Sequence, residues 1–317
     1  MRIIMMGTGP FAVPTYRQLI LSSHEVVCLV TRPLPKQTGQ RNVIVTPMRD
    51  VAREFGIPIF DPVNVNEPEF IETMRSMNAD VLVVCDYGQI LSPACLAATV
   101  YGGVNLHGSL LPKYRGAAPI NWAIYHGEIE TGVSVIHLTA RLDAGPVICQ
   151  ASLPINESDT AIEIESRLAE LGVGLVSRAL ELLQNWDRQS TLGILQDSQL
   201  ATRAPRLKRT DGWINWNRSA QQICNQIRAF KPWPGSFTTW QRPGHDELRL
   251  IIHEAVSRVS NHGVKTGTVV NAAGGELSIA ALDSLLIVQQ IQPAGKRQMD
   301  AGEFIRGYRI EPGMQLG

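Results

Sequence analysis

Short apolar runs alternate with stretches of helical periodicity from the first residues onward. Ile3 to Met6, Glu25 to Val30, Val81 to Cys85 and Gly103 to Leu106 form the runs, and Phe11–Leu21, Pro47–Phe55 and Pro68–Met77 carry the helical spacing between them. Apolar strands that alternate with helices predict a parallel sheet covered on both faces. Val133–Leu138 and Val147–Leu153 follow one another with no helix between them, so an antiparallel extension is expected at the edge of that sheet. A long helical pattern then opens at Ser158-Asp159-Thr160, with Ser or Asp as its cap, and runs to the neighbourhood of Asn185.

A chain of 317 residues is more than one core usually serves. Residues 188–210 are polar and include Gly193, Pro205 and the basic Arg203, Arg206, Lys208 and Arg209, a composition that reads as a linker. Beyond it, Ser219–Phe230 has helical spacing and is stopped by Pro232 and Pro234. Short strand-like runs follow at Ser236–Trp240, Leu248–Ala255, Gly267–Val270, Leu277–Ala281 and Leu285–Ile291, which predicts a small barrel. The expected organisation is therefore an α/β domain over residues 1–189, a basic linker over 190–209 and a β-barrel domain over 210–317. Net charge is zero, but residues 1–202 carry 14 Lys+Arg against 20 Asp+Glu, and residues 203–317 carry 15 against 9. A basic C-terminal part can attract a polyanion, although these charges are scattered rather than clustered.

Other classes are disfavoured. The five cysteines, Cys28, Cys85, Cys95, Cys149 and Cys224, are odd in number and form no C-x-x-C, so neither a disulfide framework nor a structural zinc site is indicated. No His/Cys/Asp cluster has ligand spacing, so no metal is expected. No run approaches the roughly 20 apolar residues of a membrane span, and the first residues enter a strand without a leader pattern. A cytoplasmic location is expected.

Gly7-Thr8-Gly9-Pro10-Phe11-Ala12 fits G-x-G-x-x-A between a strand and a helix, the weak form of a dinucleotide fingerprint. The place for a ribose-binding carboxylate holds Thr31-Arg32-Pro33 instead. An arginine there would suit a 2′-phosphate, so an NADP-dependent oxidoreductase is one reading and a tight strand-to-helix turn the other.

A denser constellation lies downstream in Asn105-Leu106-His107-Gly108-Ser109-Leu110-Leu111-Pro112-Lys113-Tyr114-Arg115-Gly116. Asn105 and His107 stand two apart at the end of a strand, so both point to one face. The carboxyl ends of strands are where open α/β sheets place ligands. An amide donor beside an imidazole can stabilise an oxyanion and manage a proton. Asp143, in the turn Leu142-Asp143-Ala144-Gly145-Pro146, could orient that imidazole. Each residue alone also has a structural explanation: a turn cap, a core histidine, an Asx-turn.

Together, Asn105-x-His107-x-Ser109-Leu110-Leu111-Pro112 and Asp143 resemble the signature of the 10-formyltetrahydrofolate-dependent formyltransferases, and the resemblance extends over almost the whole chain. It implies a Rossmann-like formyltransferase domain, a linker and a C-terminal barrel resembling an OB-fold. It implies Asn105, His107 and Asp143 as catalytic residues, and folate contacts by Ser109, Leu110, Leu111 and Pro112. It also implies that Tyr87, Gly88, Gln89, Ile90 and Leu91 border the pterin, with 10-formyltetrahydrofolate as co-substrate. Asp86 stands where the family more often has a small residue; it reads either as a second carboxylate near the folate or as an exposed strand end. The acceptor could be a small amine, such as an amino sugar nucleotide. The polar segment Thr31 to Met48, with Arg32, Lys36 and Arg41, resembles instead the insertion of members that act on tRNA. Ala204-Pro205-Arg206-Leu207-Lys208 resembles the family's basic linker, and Ile227 to Gly235 and Gln292 to Lys296 resemble the C-terminal domain of the members that act on tRNA. The implied acceptor is the α-amino group of methionyl-initiator tRNA, held by Arg32, Lys36, Arg41, Arg206, Lys208 and Arg209, with the enzyme acting as a monomer.

Overall fold

The computed structural model describes residues 1–34, 46–242 and 244–317. Lys36 and Arg41 lie outside the described residues. Contacts divide the chain into two units: Met1–Pro119, Glu130–Pro154 and Glu165–Pro205 form the first, and Ile120–Ile129, Ile155–Ile164 and Arg206–Gly317 the second.

The elements up to the middle of the chain are β1 (Arg2–Gly7), α1 (Val13–Leu21), β2 (Glu25–Val30), α2 (Pro47–Glu54), β3 (Ile59–Phe60), α3 (Pro68–Ser76), β4 (Val81–Cys85), α4 (Pro93–Leu96) and β5 (Gly103–His107). After them come β6 (Arg115–Gly116), α5 (Pro119–Tyr125), β7 (Glu130–His137), β8 (Val147–Pro154), α6 (Ala161–Gln184) and β9 (Arg203–Ala204). The main sheet of the first unit has the order β3-β2-β1-β4-β5-β7-β8. Its first five members pair in parallel, and β7 and β8 extend it antiparallel, as expected. Ile3 to Met6 have no exposed surface, because β1 is central and covered on both faces. From β1 the chain runs outward to β2 and β3, then returns to β4 on the other side of β1. The order therefore reverses between β1 and β4, where open sheets of this kind form a crevice at their carboxyl edge.

Two local details differ from the sequence expectation. The first helix is not continuous from Phe11: a 3-10 turn over Pro10–Ala12 precedes α1. Pro14 has no N–H for the carbonyl of Pro10, so an α-helical ladder cannot start there. The cap of α6 is Thr160 rather than Ser158 or Asp159. Its hydroxyl accepts from the Glu163 amide at 3.4 Å, and Glu163 accepts the Thr160 amide at 2.8 Å, a reciprocal capping box.

In the second unit, α7 (Ala220–Ala229) opens on a capping box of Ser219 and Gln222. It is followed by β10 (Ser236–Trp240), β11 (Leu248–Val259), β12 (Val269–Ala273), β13 (Glu276–Ala280), β14 (Ser284–Pro293), β15 (Met299–Asp300) and α8 (Ala301–Tyr308). The antiparallel path is β10-β11-β14-β13-β12, with β15 on β14. Its core gathers Trp240, Leu250, Ile279, Leu286, Ile291 and Phe304. The last residues join the two ends of the path. Leu316 bridges Trp240 and Gln315 bridges Thr268; the Gly317 amide donates to Thr239 and the Leu316 amide to Gly267. This tail turns an open sheet into a barrel and satisfies edge groups that would otherwise face solvent.

Candidate active site

Asn105 and His107 sit at the carboxyl end of β5, where Asn105 pairs with Ile136 and His107 with Ser134 of β7. Asp143 comes from the turn between β7 and β8. That turn needs special backbone: Asp143 has a φ of 47°, and a Cβ on Gly145 would lie 1.7 Å from the His137 carbonyl oxygen. Asp tolerates the left-handed region better than most residues, and position 145 admits only glycine without a backbone shift.

The three side chains meet. Asn105 Nδ2 donates to Asp143 Oδ1 at 3.5 Å. His107 Nδ1 faces Asp143 Oδ2 at 3.7 Å, with both side chains largely buried. The other ring nitrogen, Nε2, lies 2.9 Å from the Tyr114 carbonyl. A carbonyl only accepts, so Nε2 carries a proton and Nδ1 is left to face the carboxylate. Asp143 Oδ2 is fixed in turn by the Gly116 amide at 2.9 Å. An amide donor, an imidazole and a carboxylate on one patch of the sheet edge can stabilise an oxyanion and relay a proton.

The segment after β5 is tied down before it reaches Tyr114. Ser109 Oγ donates to the Lys113 carbonyl at 2.7 Å, the Leu111 amide donates to Ser134 Oγ at 3.1 Å, and Ser134 Oγ donates to the Ser109 carbonyl at 2.6 Å. Gln150 Nε2 holds the Leu111 carbonyl at 3.1 Å, and the Leu111–Pro112 bond is cis. Gly132 gives Leu110 its place on β7: a Cβ there would stand 2.4 Å from Leu110 Cδ2.

Tyr87 to Leu91 follow β4. Tyr87 is buried and its hydroxyl has no hydrogen-bond partner among the described residues; burial raises its phenol well above the ordinary range. Gln89 accepts the Val65 amide at 2.9 Å, so its side chain braces a neighbouring loop. Ile90 is 62% exposed, while Leu91 is buried. Arg32 is exposed, and its Nη1 lies 3.4 Å from where a Cβ on Gly88 would be, so it flanks the same segment. Among the described residues no cluster of three or more His, Cys, Asp or Glu could hold a metal.

Arg206, Lys208 and Arg209 are exposed and belong to the second unit. Sequence alone does not single out Tyr114, Gly116, Gln196 or Thr202, whose hydrogen bonds reach His107, Asp143 or the Tyr114 backbone. Tyr114 and Gly116 lie within the quoted run but act through backbone groups. Gln196 and Thr202 carry no local signal.

The chain matches the Formyl transferase family over residues 1–180 and the Formyl transferase C-terminal domain over 206–309. It is 39% identical to a methionyl-tRNA formyltransferase of Rhodopirellula baltica, covering all of this chain and 96% of that one. It is 38% identical to the corresponding protein of Moorella thermoacetica, covering all of this chain and 99% of that one. Among solved structures, a sugar 3N-formyl transferase, WlaRD, superposes with a TM-score of 0.67 at 18% identity, covering 94% of this chain and 99% of that one. An N-formyltransferase from Helicobacter canadensis superposes at 0.66 and 17%, covering 90% and 98%, a likeness of fold. With both domains matched and full-length identity of this order, the chain belongs to the formyl transferase family and groups within it with the methionyl-tRNA formyltransferases.

Proposed function

We propose that this protein transfers the formyl group of 10-formyltetrahydrofolate to the α-amino group of methionyl-initiator tRNA, giving N-formylmethionyl-tRNA and tetrahydrofolate. The observation that carries this is the meeting of Asn105, His107 and Asp143 at the carboxyl end of β5. The names of the full-length relatives support the acceptor.

In this mechanism the amine adds to the formyl carbon, a C–N bond forms and the carbonyl oxygen becomes an oxyanion. Asn105 donates to that oxygen. His107, as the imidazolium, donates from Nδ1 and gives a proton to the departing folate nitrogen as the old C–N bond breaks. Asp143 orients the ring and accepts the proton lost by the amine, through water. Tyr87 to Leu91 and Ser109 to Pro112 are the residues that would hold the folate; the exposed Ile90 fits the apolar face of a flat ring. Arg32, Arg206, Lys208 and Arg209 supply positive charge for tRNA phosphates, with Lys36 and Arg41 assigned there from sequence alone. The enzyme acts as a monomer in the cytoplasm.

The test is formylation of charged initiator tRNA beside a dTDP-linked amino sugar, with 10-formyltetrahydrofolate as donor. Transfer to the tRNA alone is expected; transfer only to the sugar would reassign the acceptor. Replacing Arg206, Lys208 and Arg209 together by alanine should lower the slope of log affinity against log salt by about 2 to 3. An unchanged slope would take this run off the RNA.

A further inference from the structure

Residues 194–204 read as linker, yet they are laced onto the loops that build the site. Ile194 and Val147 exchange two backbone hydrogen bonds of 2.8 Å. Thr202 Oγ1 accepts the Tyr114 amide at 2.8 Å, and the Thr202 carbonyl accepts the Arg115 amide at 2.9 Å. Arg203 and Ala204 then pair in parallel with Arg115 and Gly116. The approach at Gly116 is close enough that a Cβ would lie 2.4 Å from the Ala204 carbonyl oxygen. Tyr114 and Gly116 are the residues whose carbonyl and amide hold His107 and Asp143. The strap therefore clamps the peptide groups that orient both.

One side chain of the strap reaches Asp143 itself. Gln196 Nε2 donates to the Asp143 carbonyl at 2.9 Å and to the Gly145 carbonyl at 2.7 Å. Its Oε1 accepts from Arg115 Nε at 3.0 Å and Nη2 at 2.7 Å. Both amide N–H groups are spent on the two carbonyls that flank the bend, and the guanidinium fixes the amide plane so that it cannot flip. Asp143 is in the left-handed region, a conformation that persists only where the surroundings over-determine it.

We propose that Gln196 is a positioning residue for the formyl transfer: braced by Arg115, it holds the 143–145 turn so that the Asp143 carboxylate stays on Asn105 and His107. This rests on the reading of Asp143 as a catalytic group. Gln196 touches none of the three catalytic side chains; it acts through the backbone of one.

The test is a double-mutant cycle in the full-length enzyme, measuring kcat and the KM for 10-formyltetrahydrofolate in Gln196→Ala, Asp143→Asn and the double variant. Gln196→Ala is expected to lower kcat roughly 10- to 100-fold, as a displaced catalytic group does, with KM within about twofold. In the Asp143→Asn background the same change should cost less than about threefold, because the group being positioned is already disabled. Gln196→Glu keeps the shape and the Arg115 acceptor but turns a carboxylate toward two carbonyls, and should be as slow as the alanine variant. It carries the test if the alanine variant fails to fold. An equal factor in both backgrounds, or a loss confined to KM, would show a general structural role and overturn the proposal. So would wild-type kcat in either Gln196 variant. Wild-type turnover in Asp143→Asn alone would remove the carboxylate from the chemistry, and the proposal with it, an outcome separable from the others.

Discussion

Two of the glycine-bearing turns on this chain's first sheet use glycine for opposite ends. At the carboxyl end of β1, the turn Gly7 to Ala12 has the spacing of a nucleotide fingerprint. A Cβ on Gly7 would lie 2.8 Å from the Cys85 carbonyl oxygen, and one on Gly9 would lie 2.0 Å from Asp86 Oδ2. The glycines let β1 approach β4, and the space above Gly9 is taken by a carboxylate, which would repel a pyrophosphate. Between β7 and β8, Gly145 makes room for the His137 carbonyl and lets Asp143 turn back onto Asn105 and His107. One turn is closed by a negative side chain. The other delivers one to where chemistry is proposed. A glycine pattern thus identifies close approach, and the approaching group decides what the site can bind.

The comparison can be broken most decisively at β5. Asn105→Ala removes the proposed oxyanion donor, a group worth roughly 3 kcal/mol in the transition state, so turnover should fall by about a hundredfold or more while the folate KM is kept. Near-normal turnover would leave the β7–β8 turn with no chemistry to serve. Gly145→Ala should follow, with turnover down roughly 10- to 100-fold and a lowered melting temperature, since its obstacle is backbone and cannot swing aside. At Gly9 the obstacle is a side chain, so Gly9→Ala should cost only about 1 to 3 kcal/mol of stability and leave turnover near normal. Asp86→Ala in the same chain should restore the melting temperature. A Gly9→Ala enzyme that folds normally but stops turning over would put the β1 turn back into the site.

The smallest effect concerns Glu165, whose carboxyl is raised above its ordinary range by burial and then by the charge of Asp86. A carboxyl that binds its proton more tightly when folded loses stability as pH rises from the unfolded-state value through the folded one. Glu165→Gln should therefore melt higher than the wild type at neutral pH, with the difference fading once pH drops below the unfolded-state range. Melting curves across pH 4 to 8 would check the sign, and a difference that grew on acidification would refute it.

The sequence by itself determined the parts of this protein that are periodic or local. The buried runs at Ile3–Met6 and Val81–Cys85 have strand spacing, so a covered parallel sheet was legible. Period two put Asn105 and His107 on one face before any fold was known, and the helical spacing from Ser219 to Phe230 with the prolines after it marked α7. Tertiary structure alone decided what depends on backbone groups far apart in sequence. The strap from Ile194 to Ala204 finds Val147 and Arg115–Gly116 through main-chain pairing. The tail at Gln315–Leu316 closes the barrel in the same way. Asp86 fills the place above Gly9 only because β4 lies beside β1. Every residue but proline carries the same amide and carbonyl, so such pairings leave no mark in side-chain pattern; they exist only once the chain has folded far enough to bring the partners together.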